Sequence, residues 1–143
     1  MRKIQILLVE DNDGDILLIS EALEEGRILN ELQIAKDGQE AILLLTKAGE
    51  YINAITPDII LLDINLPKKN GHEVLKFIKN NAALKQIPVI MLTTSSTPRD
   101  VVEAYREHAN CYITKPVGGL DFLTVISQIE EFWFSIVKLP STT

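Results

Sequence analysis

Apolar residues fall along this chain in two alternating rhythms. Short continuous runs, Ile4 to Val9, Ile59 to Leu62 and Val89 to Leu92, read as strands buried on both faces. Leu32 to Ala35 is weak and alternating, and Cys111 to Ile113 is short and mixed, as edge strands tend to be. Between these runs the apolar residues return at helical spacing. One stripe is Ile16, Leu17, Ile19, Ala22 and Leu23, and another is Ala41, Ile42, Leu45 and Ala48. A third is Val74, Leu75 and Ile78, and a fourth is Val101, Val102, Tyr105 and Ala109. The last runs through Phe122, Leu123, Ile126, Ile129, Trp133 and Ile136. Strands alternating with helices predict parallel strands covered by helices on both faces. Right-handed crossovers, with the weak segments at the edges, favour strand order 2-1-3-4-5. The expected fold is therefore α/β, a doubly wound five-stranded parallel sheet. Ligands bind such sheets outside the carboxyl ends of strands one and three, where the winding reverses.

Boundary residues agree with this division. Thr97-Pro98-Arg99-Asp100 offers a capping hydroxyl, a proline for the first helical position and an acid for the first turn. Gly26 can end the first helix, and Gly118-Gly119 opens the last. The segment from Gly49 to Pro57 reads either as a loop or as a further turn of the second helix. The final helix, from about Gly119 to Val137, would span roughly 28 Å at 1.5 Å per residue. That is long for covering one flank of a sheet. Its end, Phe132-Trp133-Phe134, places aromatics on more than one face, which predicts a contact surface and a homodimer through this helix.

Composition narrows the function. The 143 residues suit one domain, expected to span 1–143, and 46% hydrophobic content supports a core without disulfides or metal. The lone Cys111 excludes a disulfide framework, and the N-terminus lacks a secretory leader pattern, so a cytoplasmic location is expected. No apolar run approaches the roughly 20 residues of a membrane span. A formal charge of −6 argues against nucleic acid as the partner. Little chain follows Lys115-Pro116 beyond one helix, so no separate output domain is expected.

Candidate chemistry gathers at the strand ends. Strand one runs into Glu10-Asp11-Asn12-Asp13, strand three into Asp63-Ile64-Asn65, and strand four into Thr93-Thr94. Strand five ends shortly before Lys115. On a parallel sheet all four termini share one edge, which would bring Glu10, Asp11 and Asp63 together. Converging carboxylates repel unless a cation joins them. Oxygen ligands without His or Cys suit Mg²⁺, which also recruits phosphate oxygens. A carboxylate beside a metal and a lysine can attack phosphorus and hold an aspartyl phosphate. Mg²⁺, Lys115 and the Thr93 hydroxyl would give each phosphoryl oxygen a partner. Taken singly, each residue has a plainer role: Asn12 or Asp13 as a helix cap, Lys115 as a solvated charge, Thr93 as a strand-end hydroxyl. His72 and His108 lack metal spacing, and Lys68-Lys69 beside Asp63 is either solvated or helps steer an anionic donor.

With these residues in place, the sequence resembles the receiver domain of two-component response regulators. The resemblance rests on Leu8-Val9-Glu10-Asp11, on Asp58-Ile59-Ile60-Leu61-Leu62-Asp63, on Leu66-Pro67 with Gly71, on Thr93, and on Tyr112 with Lys115-Pro116. It implies a flavodoxin-like fold and a phosphorelay signalling protein, not an enzyme, in which Asp63 accepts phosphate from a histidine kinase. It also implies that Asp11, Asp63 and the Asn65 backbone carbonyl bind Mg²⁺, with Glu10 acting through a water. Thr93 and Tyr112 match the family's switch pair, and Lys115 its phosphate partner. Glu10 stands where aspartate is commoner, and Thr94 where many receivers carry alanine. Asn65 to Gly71 and the long loop before Asp58 resemble the small regulators paired with phytochrome kinases. Rival readings fit less well. A haloacid-dehalogenase-type phosphatase wants Asp-x-Asp after strand one, and an FMN carrier wants a Ser/Thr/Gly-rich loop where Glu10-Asp11-Asn12-Asp13 stands. A phosphorylation-independent pseudo-receiver would not need Asp63, Thr93 and Lys115 together.

Overall fold

A computed structural model describes residues 3–26, 29–93, 111–114, 127 and 130, with backbone alone at 93 and 111–114. Strand β1 (Ile4–Val9) leads into helix α1 (Asp13–Glu25), then β2 (Asn30–Ala35) and helix α2 (Gly38–Leu45). A single 3₁₀ turn, Gly49–Tyr51, precedes β3 (Ile59–Asp63). Helix α3 (Gly71–Lys79), β4 (Val89–Thr93) and β5 (Cys111–Thr114) complete the described elements. The strands form one parallel sheet in the order β2-β1-β3-β4-β5.

Strand alternation sorts the core into two layers. Leu7, Val9, Ile60, Leu62, Val89 and Met91 face Ala41, Leu44 and Leu45 of α2 and Val74, Leu75 and Ile78 of α3. Their neighbours Ile6, Leu8, Ile59, Leu61, Ile90 and Leu92 face Ile19, Ala22 and Leu23 of α1. All five residues of β3 are buried, so its unbroken apolar run is the signature of a strand covered on both sides. Edge strand β2 has one buried residue, Ala35, at its site end. Each fully buried Leu or Ile contributes about 1.5–3 kcal/mol by leaving water.

Caps fix the helices that matter for the site. The Asn12 side chain accepts from the Asp15 N–H at 2.9 Å and starts α1 immediately after the acidic run. Asp37 Oδ1 accepts from Glu40 N at 2.7 Å and starts α2. Asn70 and Glu73 form a reciprocal capping box at α3. Helix α1 ends at Gly26 as anticipated, and in extended backbone, not a left-handed turn. The open question between α2 and β3 resolves as a separate turn. Thr46 Oγ1 turns back onto the Ile42 carbonyl at 2.8 Å, and Lys47 and Gly49 take positive φ, which ends the helix.

Sheet register sets the site edge. Val9 pairs with Leu62, Asp63 with Leu92, and Thr93 with Thr114. The chain therefore leaves β1, β3, β4 and β5 at one edge, as the parallel arrangement requires. Lys115, the helix expected from Thr97-Pro98, and the aromatic run Phe132, Trp133 and Phe134 lie outside the described residues. So do the side chains of Thr93 and Tyr112.

Candidate functional site

Backbone geometry carries the acidic residues to one point. Glu10 follows β1 directly, and its N–H donates to the Ala35 carbonyl at 2.9 Å, which holds it level with the end of β2. Its carboxylate is fully buried, and Oε2 accepts from the N–H groups of Asp11 at 3.1 Å and Asn12 at 3.4 Å. These local N–H dipoles offset the cost of burying the charge. Asp63, the last residue of β3, is 4% exposed, and its Oδ1 accepts from Asn65 N at 3.4 Å. Asp11 is exposed between them.

One oxygen from each of Glu10, Asp11 and Asp63 lies within 4.8 Å of the others. Like charges this close cost energy, more so where two of the groups are shielded from water. The donor set is entirely carboxylate oxygen, which fits a hard divalent cation and not a soft transition metal. A strand-end carboxylate beside such a cation can hold a phosphoryl group.

The neighbouring charges have their own partners. Asp13 pairs with Lys36 Nζ at 2.6 Å. That contact raises the Lys36 ammonium above its ordinary range, chiefly through the hydrogen bond to Asp13 and next through its charge. Lys68 sits 3.5 Å from Asp37 Oδ2. Both pairs are largely solvated on the lysine side, so their contribution is modest. His72, the second residue of α3, is partly buried, in keeping with a helix-flank position.

The β3–α3 loop is folded tightly onto Asp63. Gly71 N donates to the Ile64 carbonyl at 2.8 Å and Leu66 N to the same carbonyl at 3.1 Å. A side chain at Gly71 would place its Cβ 2.3 Å from the Asp63 carbonyl oxygen. Glycine is required here by proximity. Sequence reasoning singled out Glu10, Asp11, Asp63 and Asn65 at this edge, and the structure brings the three carboxylates together. It missed the Lys36–Asp13 pair, whose partners are remote in sequence and carry no local signal. It also missed the contact between α2 and the loop after Asp63.

The response regulator receiver domain family matches residues 6–127. Response regulator Rcp1 of Synechocystis sp. is 48% identical over 136 residues, covering 95% of this chain and 92% of that protein. The crystal structure of the phosphorylated cyanobacterial phytochrome response regulator RcpA superposes with a TM-score of 0.91 at 48% identity, covering 98% of this chain and 100% of that one. The crystal structure of the Mn²⁺-bound form of Rcp1 gives a TM-score of 0.88 at 47% identity, covering 96% and 99%.

Proposed function

Because the chain belongs to the response regulator receiver domain family, we propose that Asp63 is its phosphoacceptor and that a histidine kinase is the donor. The observation that carries this reading is the meeting of Glu10, Asp11 and Asp63 within 4.8 Å at the carboxyl edge of the sheet. Asp63 is the member on the central strand, and its Oδ1 is oriented by Asn65 N. In the transfer, an Asp63 oxygen forms a bond to phosphorus as the nitrogen–phosphorus bond of a phosphohistidine breaks. The histidine nitrogen leaves with that electron pair. Hydrolysis by water later returns the free carboxylate and inorganic phosphate.

Asp11, Asp63 and the Asn65 carbonyl would hold Mg²⁺, with Glu10 acting through a water. Bound there, Mg²⁺ supplies charge neutralisation for the phosphoryl oxygens. Glu10 is held by two backbone N–H groups, so it contributes negative charge without competing as nucleophile. Lys115 and the Thr93 hydroxyl are the proposed partners of the remaining phosphoryl oxygens. Thr93 and Tyr112 are the proposed switch, shifting between two populations as phosphate arrives. Thr93 ends β4 across from Thr114 of β5, and Tyr112 pairs with Met91 two residues earlier on the same two strands.

The phytochrome connection is a proposal drawn from the relatives' names and from the Asn65 to Gly71 loop. A single receiver domain spanning 1–143, in the cytoplasm, with self-phosphorylation as its only chemistry, is the companion proposal. The near-complete coverage of RcpA and Rcp1 supports the receiver-domain part of this proposal. No helix among the described residues is long and apolar enough to cross a membrane. The charge of −6 disfavours nucleic acid as a target. A homodimer through an extended C-terminal helix bearing Phe132, Trp133 and Phe134 is proposed as the signalling surface. The test is phosphotransfer from candidate sensor kinases, phytochromes included, to the native chain and to Asp63→Asn. The expected result is rapid, Mg²⁺-dependent labelling of the native chain alone. Equal labelling of Asp63→Asn removes the reading.

A further inference from the structure

Helix α2 begins against the loop that follows Asp63, with almost no space between the two backbones. Gly38, its first residue, has an N–H that donates to the Pro67 carbonyl at 3.4 Å. A Cβ built on Gly38 would lie 1.9 Å from the Lys69 carbonyl oxygen and 2.7 Å from both its carbonyl carbon and its Cβ. Two of those three neighbours are backbone, so no rotamer change relieves the overlap. Only a hydrogen fits. Beside this contact Lys68 takes the left-handed conformation, φ +66°, rare for a side-chain-bearing residue. Its ammonium is 3.5 Å from Asp37 Oδ2, the α2 cap residue immediately before Gly38. The loop is thus held from outside by two consecutive residues, the α2 cap and the first residue of the helix.

The loop cannot absorb a push at Lys69 privately. Its base is closed by Gly71 N on the Ile64 carbonyl, and by the absence of space at Gly71 above the Asp63 carbonyl. Ile64 and Leu66 are buried in the same core as Ala41 and Leu44 of α2. A shift at residues 67–69 is therefore passed to 64–66, the segment that carries the Asn65 backbone.

We propose that Gly38 is a positioning residue for the phosphoacceptor site: the side-chain-free start of α2 sets the height of the β3–α3 loop and, through it, the Asn65 backbone beside Asp63. The inference rests on the reading of Asp63 as acceptor and of its surroundings as a Mg²⁺ site. Gly38 touches neither the cation nor the phosphoryl group. Its action is transmitted through Pro67 to Lys69, in the way outer groups orient metal ligands. The pairing of Lys68 with Asp37 adds a second, electrostatic hold on the same loop.

The test compares the full chain with Gly38→Ala, Asp37→Asn and Ile19→Ala. Ile19 is a buried residue of α1 in the core layer that does not include Ile64 or Leu66, and its truncation lowers stability from the other face of the sheet. Two quantities are read: Mg²⁺ affinity by calorimetry, and hydrogen exchange of the Gly71 amide in metal-free protein. Gly38→Ala is expected to weaken Mg²⁺ binding by about tenfold or more and to speed Gly71 exchange. Ile19→Ala should leave Mg²⁺ affinity at the native value. Native Mg²⁺ affinity in Gly38→Ala overturns the proposal, as does an equal loss in Ile19→Ala. If Gly38→Ala does not fold, Asp37→Asn decides. It keeps a capping oxygen for α2 but drops the charge facing Lys68, and a smaller loss of affinity is expected. Unchanged affinity there overturns the proposal. A native chain that binds Mg²⁺ but takes no phosphate would remove the acceptor reading alone, while the two readouts still judge Gly38.

Discussion

Asp58 stands one residue before β3 and Asp63 is its last residue, so two carboxylates bracket one strand. Asp58 is tied into the sheet: its Oδ2 accepts from Gln5 N at 2.8 Å and its own N–H donates to the Gln5 carbonyl at 2.7 Å. Asp63, at the opposite end, joins the acidic cluster. The two should respond oppositely to substitution. Asp58→Ala is expected to lower unfolding stability by about 1–2 kcal/mol in urea titrations and to leave Mg²⁺ affinity unchanged. A loss of Mg²⁺ affinity in Asp58→Ala would contradict this separation of roles.

Mg²⁺ should stabilise the native state by linkage. Free cation at about 100 times its dissociation constant adds about 2.7 kcal/mol to unfolding. The thermal midpoint should therefore rise with Mg²⁺ and fall back with chelator. Asp63→Asn should lose most of that rise, and in metal-free protein it should be no less stable than native, because one member of a repelling trio is neutral. Retention of the full Mg²⁺-induced rise in Asp63→Asn would place the cation elsewhere.

Gly71→Ala puts a methyl group 2.3 Å from the Asp63 carbonyl oxygen and 2.6 Å from Ile64 Cα. Overpacking against backbone costs about 1–3 kcal/mol, and the displaced residue is the proposed acceptor. Chemical denaturation should show the loss, and phosphate uptake should fall with it. A variant of native stability and native uptake would mean that the loop is not fixed against Asp63.

Lys36 gives the pH dependence its sign. Its ammonium is raised above the ordinary 10.5 by the hydrogen bond to Asp13, then by the Asp13 charge, with burial opposing and Glu40 adding a little. The folded chain therefore holds this proton more tightly than the unfolded chain does. The resulting stabilisation is complete below pH 10.5 and is lost as pH climbs through the folded value. Titration of the Lys36 side chain by NMR should give a midpoint above 10.5 in the native chain, returning toward 10.5 in Asp13→Asn. A native midpoint at or below the ordinary value would show that the pair does not persist in solution.

Much of the architecture was legible because period and burial coincide. Ile4 to Val9 read as a strand with the bounds the structure gives it, since every alternate residue has a covered face. The strand at Ile59 was extended by Asp63, whose polarity broke the apolar run although its backbone continues the ladder. Strand β2 was legible only from Leu32 onward, because Asn30 and Glu31 stand on a solvated edge. The meeting of Glu10, Asp11 and Asp63 followed from the parallel topology alone. What was not legible depends on contacts between distant backbones. Gly38 against Lys69, and Asp58 on Gln5, leave no mark on local hydrophobic pattern. Lys79 is similar. It donates to the carbonyls of Lys85 at 3.0 Å and Ile87 at 2.9 Å, and burial lowers its ammonium pKa, yet in sequence it is an ordinary helix-end lysine.

The most direct measurement marks the residue that carried the phosphoryl group. The native chain, phosphorylated by a histidine kinase in Mg²⁺, is treated with borohydride, which reduces an acyl phosphate to the alcohol with release of inorganic phosphate, and its peptides are mapped by mass. The account predicts homoserine at position 63 and nowhere else. Reduction at Glu10 or Asp11, or phosphate on a side chain that borohydride does not reduce, would contradict it.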